Sequence, residues 1–292
     1  MSLQSLLSAY DFQLVWTPEV LLLTVVLATV YLLVTGRFRL YLTEASPVPL
    51  GKKLLFLSGL VFFYLGLGSP LSLIGHFMFS VHMLQQAMLY LIMPPLLLLG
   101  TPNWLIGLVI RLPLLSKLVP VITHPVLTLV LFNGLFSLYH MPSIFDAVMQ
   151  SFALTTFFRL ALLFTAFLMW LPIIAPLPEF ERLSDLRKMG YMFLNGVLLT
   201  PACALIIFAG VPLYDTYIKG TALFCTPFYA VPLQGPKLLS VISTLDDQQL
   251  GGVMMKLVQE VTYGSALAYI FFRWFRRERE DDLTDLADPQ KE

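Results

Sequence analysis

Residues 75–86 read GHFMFSVHMLQQ, so two of the chain's four histidines open one apolar run, interleaved with methionines. In a helix, Met78, His82 and Gln85 or Gln86 recur at spacings of four and then three or four, sharing one face. His76, Ser80 and Met83 form the adjoining stripe. His82 then lies about 9 Å further along the axis than His76. Imidazoles with soft thioethers suit Cu(I), whereas zinc or magnesium would favour thiolates or carboxylates. A plainer reading uses the same residues: methionine fills apolar cores, and histidine and glutamine tie helices together.

Further along, Asn133, Ser137 and His140 recur at four and three and lead into HMPSIFD at 140–146, so His140 and Met141 could close a site from another helix. Cys203 sits in NGVLLTPACALIIF (195–208), beside the helix-loosening Pro201, as an inert small hydrophobe or a Cu(I) ligand. His124, in THPV, has no soft neighbours and reads as structural. In DDQQLGGVMMKLVQEVTYG (246–264), Lys256 and Glu260 form an i, i+4 pair. A carboxylate that deep in an apolar run needs a partner, for which Lys256 and Arg159 are the candidates. The pair either fixes helix packing or gates a metal path. Asp246 and Asp247, with Gln248 and Gln249, are expected to cap the start of their own helix.

The elements that must position these groups follow from composition. The chain has 292 residues, 58% of them hydrophobic and 12% charged, which marks a polytopic membrane protein. Two cysteines, Cys203 and Cys225, are too few for a disulfide framework. The first twenty residues lack the basic and small-residue pattern of a removable signal peptide. A helix needs about 20 apolar residues to cross a bilayer. The segments 18–36, 54–74, 77–99, 121–139, 153–174, 190–210 and 252–272 meet that need, whereas 103–120, with Arg111, Pro113 and Lys117, reads as interfacial. With seven spans, 14 of the 18 Lys and Arg fall on one side, and only Lys219 and Lys237 lie in the opposite loops. That asymmetry predicts an outside N-terminus and a cytoplasmic C-terminus. His76, His82 and His140 then share the outer half. No nucleotide loop, zinc hydrolase motif or nucleophile–base pair is present, and the basic residues are cytoplasmic flanks, so neither enzymatic turnover nor nucleic-acid binding is expected.

GHFMFSVHM followed by PPLLLLGTP (94–102), LFNGLFSLYHMP (131–142), NGVLLTPACALIIF and DDQQLGG with KLVQEVTYG resemble the bacillar CtaG family nearly end to end. Those proteins are assembly factors for the caa3-type cytochrome c oxidase. The resemblance implies a role in oxidase maturation, through help in bringing copper to the binuclear haem–copper centre. His76, His82 and Met83 match the family's pattern in the third span. Gln86 stands where wider members carry another histidine, and 149–164, where they tend to carry histidines, has none. This branch therefore either uses methionine or cysteine instead, or assists assembly without metal.

The expectation is an all-α polytopic protein of the cell membrane, a single integral domain over residues 1–292. It would bind Cu(I) transiently through His76, His82 and His140, with Met78, Met83 and Cys203 as further candidates, and pass it to the haem–copper subunit of cytochrome c oxidase. The competing readings are a metal-free scaffold and a copper transporter. A retinal-type receptor is disfavoured, because Lys256 lies too near the outer end of its span.

Overall fold

The computed structural model describes residues 10–41, 45–226, 228–234 and 242–287; Lys237 and Lys291 lie outside them. Proline sets many helix starts, because its fixed φ suits the first turn and its missing N–H is not needed there. It begins α2 (Pro18–Thr35), α4 (Pro70–Ile74), α8 (Pro113–Ile122), α9 (Pro125–Tyr139) and α10 (Pro142–Met149). Serine side chains cap others: Ser151 accepts from the Leu154 amide at the head of α11 (Phe152–Ile174), and Ser184 from the Arg187 amide at the head of α12 (Asp185–Ile207).

The remaining elements are α1 (Phe12–Trp16), α3 (Leu50–Leu67), α5 (Phe79–Ala87), α6 (Met93–Gly100), α7 (Asn103–Ile110), α13 (Asp215–Lys219) and α14 (Thr244–Ala287). Between α5 and α6, residues Met88–Ile92 form a π-helical turn. Pro94 and Pro95 cannot donate to the carbonyls of Tyr90 and Leu91, so the ladder slips in register just past the histidine-bearing turn. The most extensive packing joins α12 to α14, α3 to α6, and α5 to α14.

Among the described residues, five stretches are long and apolar enough to cross a membrane: 12–35, 50–74, 79–100, 152–174 and 185–207. Their outer surfaces expose Leu22, Val25, Val61, Phe157, Leu160, Phe164 and Phe193, as lipid-facing helices do. The expected unbroken span over 121–139 is corrected. A break at Thr123–His124 leaves α9 only 15 residues, and the chain then bends by 77° into α10, so this pair counts as a sixth span only if taken as one broken crossing. The expected span 252–272 lies within α14, where Lys256, Gln259 and Glu260 interrupt the apolar run, and it is not among the five. Residues 103–120 form α7 and α8, each too short to cross.

One feature departs from an all-helical chain. Strands β1 (Thr221–Cys225) and β2 (Ala230–Gln234) pair antiparallel, from Thr221 opposite Gln234 to Cys225 opposite Ala230. Phe224 is fully buried and clusters with Val15 and Leu73, which seats the hairpin on the end of the bundle where α5 begins.

Candidate functional site

Helix α5 starts where two other elements hold it. Asp247, in the first turn of α14, accepts from the Phe79 amide at 2.6 Å and the Ser80 amide at 3.3 Å, and also from the Ser80 hydroxyl. The expectation that Asp247 caps its own helix is thereby corrected: its carboxylate serves the N-terminus of α5, where the unpaired amides and the helix dipole favour negative charge. Asp246 accepts instead from Ser243, Gln248 accepts from the Leu213 amide, and Gln249 donates to the Ala209 carbonyl. Gly251 and Gly252 allow close approach. A Cβ on Gly251 would lie 2.6 Å from the Phe79 ring, and one on Gly252 would lie 2.7 Å from Ile207. The DDQQLGG motif is thus a clasp that holds the start of α14 against the histidine helix through Asp247 and Gly251, and against α12 through Gly252. Asp247→Ala is expected to cost about 0.5–2 kcal/mol, the usual range for a lost cap, read as a lower melting temperature in detergent. Unchanged melting would show that the cap does not matter.

Beyond this clasp lies a cavity of about 40 Å³, bordered by His76, His82, Gln85, Gln86, Tyr90, Tyr139 and Arg159. A water needs about 10–15 Å³ on this measure, so the space holds a few waters or a small ion. The His76 Nδ1 donates to the Ser72 carbonyl at 2.8 Å. A carbonyl can only accept, so Nδ1 carries the proton and Nε2 the lone pair. Burial lowers the His76 pKa to about 4, against an opposing effect of the Ser72 bond, and the ring is neutral at neutral pH. The His82 Nε2 lies 3.3 Å from the Tyr139 hydroxyl. Gln85 donates to the Gly66 carbonyl at 3.1 Å, whereas the Gln86 Oε1 is buried without a partner. Arg159 donates to the Cys225 carbonyl at 2.8 Å, which ties α11 to the hairpin.

His140 does not line this cavity. Its Nδ1 donates to the Phe136 carbonyl at 2.8 Å, and its Nε2 is buried with no partner. The rings of Tyr139 and Phe145 stand between it and His82, with Phe145 centred 5.3 Å from His82 and 6.4 Å from His140. Met78 packs beside Ile74, Met83 faces Gly251, and Cys203 is buried against Gly252, so none of these three borders the cavity. Among the described residues, no three His, Cys, Asp or Glu side chains gather as a metal-holding group. His124 is exposed at the start of α9, and both cysteines are free. Glu260 pairs with Lys256 at 2.7 Å, whereas Arg159, the other expected partner, turns to the hairpin.

Tyr139, Gln86 and Arg159 were not among the expected metal ligands, although Gln86 was expected on the His82 face. Arg159 was expected to reach a polar partner, as an arginine in an apolar span must, but that partner is the Cys225 carbonyl and not Glu260. Tyr139 carried no signal beyond preceding His140. The hairpin end covers the whole cluster: the Tyr214 hydroxyl donates to the His140 carbonyl, the Tyr217 hydroxyl to the Gly75 carbonyl, and Phe224 meets the His76 ring edge-on at 5.1 Å.

Comparison with known families places this arrangement. The family described as cytochrome c oxidase caa3 assembly factor (Caa3_CtaG) matches residues 29–277, most of the chain. The chain belongs to that family. The matched region takes in the DDQQLGG clasp, all four histidines and the hairpin, so the cavity is built within the caa3 assembly factor fold and not on an addition to it. As a caa3 oxidase assembly factor, the chain is a helical membrane protein that works with the oxidase. Neither curated proteins nor solved structures gave a match.

Proposed function

We propose that this assembly factor crosses the cell membrane seven times, N-terminus outside, and carries Cu(I) transiently at its outer end on the way to the haem–copper subunit of the oxidase. The tautomer lock on His76 and His140 carries the proposal. Each donates Nδ1–H to the carbonyl four residues earlier, which leaves Nε2 as the donor nitrogen. Metal-binding histidines use this arrangement to fix ring orientation and basicity. His76 and His82 border one cavity, and His140 waits behind Tyr139 with an unpartnered Nε2. The ion is cargo; the chain turns over no substrate. α14 would form the seventh span and the α9–α10 pair a broken one, which puts the basic ends of α12 and α14 in the cytoplasm.

The metal-free scaffold is favoured by one observation: Arg159 borders the same cavity, and its charge repels a cation. A copper transporter would need a polar path through the bundle, yet Asn133 donates to Asn195 at 2.9 Å, and Lys188 is buried against Glu181. Purified protein loaded with Cu(I) under reducing conditions and challenged with a chelator separates the first two readings. Wild type should retain copper. His76→Ala with His82→Ala should lose affinity by more than the roughly 10–100-fold seen when a metal ligand merely loses its supporting hydrogen bond. Equal retention would remove the copper role and leave the scaffold.

A further inference from the structure

The lateral face of α14 carries charge where a membrane helix should carry none. Glu260 lies thirteen residues after Asp247 and thirteen before Arg273, about 20 Å from each along the axis, and more than two turns inside the expected span 252–272. Its side chain is 61% exposed, while its partner Lys256 is 28% exposed and further held by the Thr200 hydroxyl at 2.9 Å and Gln259 at 3.0 Å. These groups border a lateral groove of about 240 Å³ between α12 and α14, together with Gly196 and Tyr263. The Tyr263 hydroxyl is buried and has no partner. One and two turns beyond Glu260, Gly264 and Ala268 are exposed, and a Cβ on Gly264 would meet nothing within 4 Å. Hydrocarbon cannot solvate such a pair, and ionisable groups within a membrane belong in protein interiors or wet cavities. Small residues spaced by four let a second helix come close.

We propose that this groove receives a transmembrane helix of the oxidase, which presents a hydrogen-bond donor or a cation at the depth of Glu260. This deepens the proposed function and rests on α14 being a span. A second copy of the chain fits poorly. A two-fold axis normal to the membrane would set both Glu260 carboxylates at one depth, and the copy's own cation at that depth, Lys256, is already taken by Glu260, Thr200 and Gln259. An oxidase helix is free to meet the carboxylate with a donor.

The test is a photo-activated cross-linking residue in place of Val261, which follows Glu260 and is exposed, with the exposed Phe164 of α11 as the control position, in membranes making the oxidase. The Val261 position should give an adduct with an oxidase subunit identified by peptide sequencing, and the Phe164 position should not. Glu260→Leu with Lys256→Leu should reduce the oxidase recovered with the full-length chain by tenfold or more and leave its copper retention at the wild-type level. Gly264→Leu, which has open space around it, should do the same without touching the ion pair, and so guards against a folding defect. Adducts only with a second copy, or only with lipid, would overturn the proposal. Rapid labelling of a cysteine at 261 by a water-soluble thiol reagent would instead overturn the span itself. Loss of copper retention with docking intact in the histidine variants would leave this proposal standing, so the two can fail separately.

Discussion

Gly251→Val should lower stability by about 3 kcal/mol, at the upper end of the usual cost of overpacking a core. The added Cβ alone would lie 2.6 Å from the Phe79 ring and 3.1 Å from the Met83 Cγ. Phe79 has nowhere to go: it is 1% exposed, stacks on Tyr214 at 4.7 Å and meets Tyr217 edge-on at 5.5 Å. Relief would require α5 to lift from α14, which breaks the Asp247 clasp and moves His82 with the helix. Thermal unfolding in detergent should show an early transition and a poor yield of folded protein. Gly190→Ala, where a Cβ would meet nothing within 4 Å, should melt at or slightly above wild type, as a helix-interior Gly→Ala change allows. Wild-type melting of Gly251→Val would mean that the close contact of α5 with α14 is not what holds the histidine helix.

The second large effect concerns the cover over the histidines. Phe224 is fully buried among Val15, Leu73 and Leu233. Phe→Ala in such a site costs about 3 kcal/mol or more. Because the strand is short and Phe224 is its fully buried ring in that cluster, beside Leu233 and the Arg159 bond to the Cys225 carbonyl, the cost should fall on hairpin docking. Cys225, the next residue, is 2% exposed, and burial pushes its thiol pKa up, so it should react only when the hairpin lifts. At about 1.4 kcal/mol per tenfold, Phe224→Ala in a Cys203→Ala background should speed thiol labelling of Cys225 by about 100-fold. An unchanged rate would show that the hairpin is not a cover held by Phe224.

Where the chain is regular, its sequence was a good guide. The spans at 153–174 and 190–210 fall within a few residues of α11 and α12, because each is a long, predominantly apolar stretch in a single helix whose first turn is capped by a serine. The misjudged crossing at 121–139 has a local cause. His124–Pro125 starts a helix that hydropathy alone extends back to 121, and Met141–Pro142 ends it. The site was half legible. His76 and His82 share a cavity because one short segment carries both. Met83 follows His82 directly, yet it points 100° around the helix and packs on Gly251. Cys203 belongs to a helix whose contact with α14 was not readable in advance. Asp247 shows the same limit: a carboxylate at a helix start signals capping, but the pattern cannot say that the capped helix lies 168 residues away.

The central claim is that the paired histidines at the outer end serve copper insertion into the oxidase. Its most direct test is the copper content of oxidase purified from cells lacking this chain and complemented with wild type, with nothing, or with His76→Ala and His82→Ala at matched expression. Full metallation is expected with wild type alone, and copper-deficient oxidase in the other two. Fully metallated oxidase from the double variant would contradict the account.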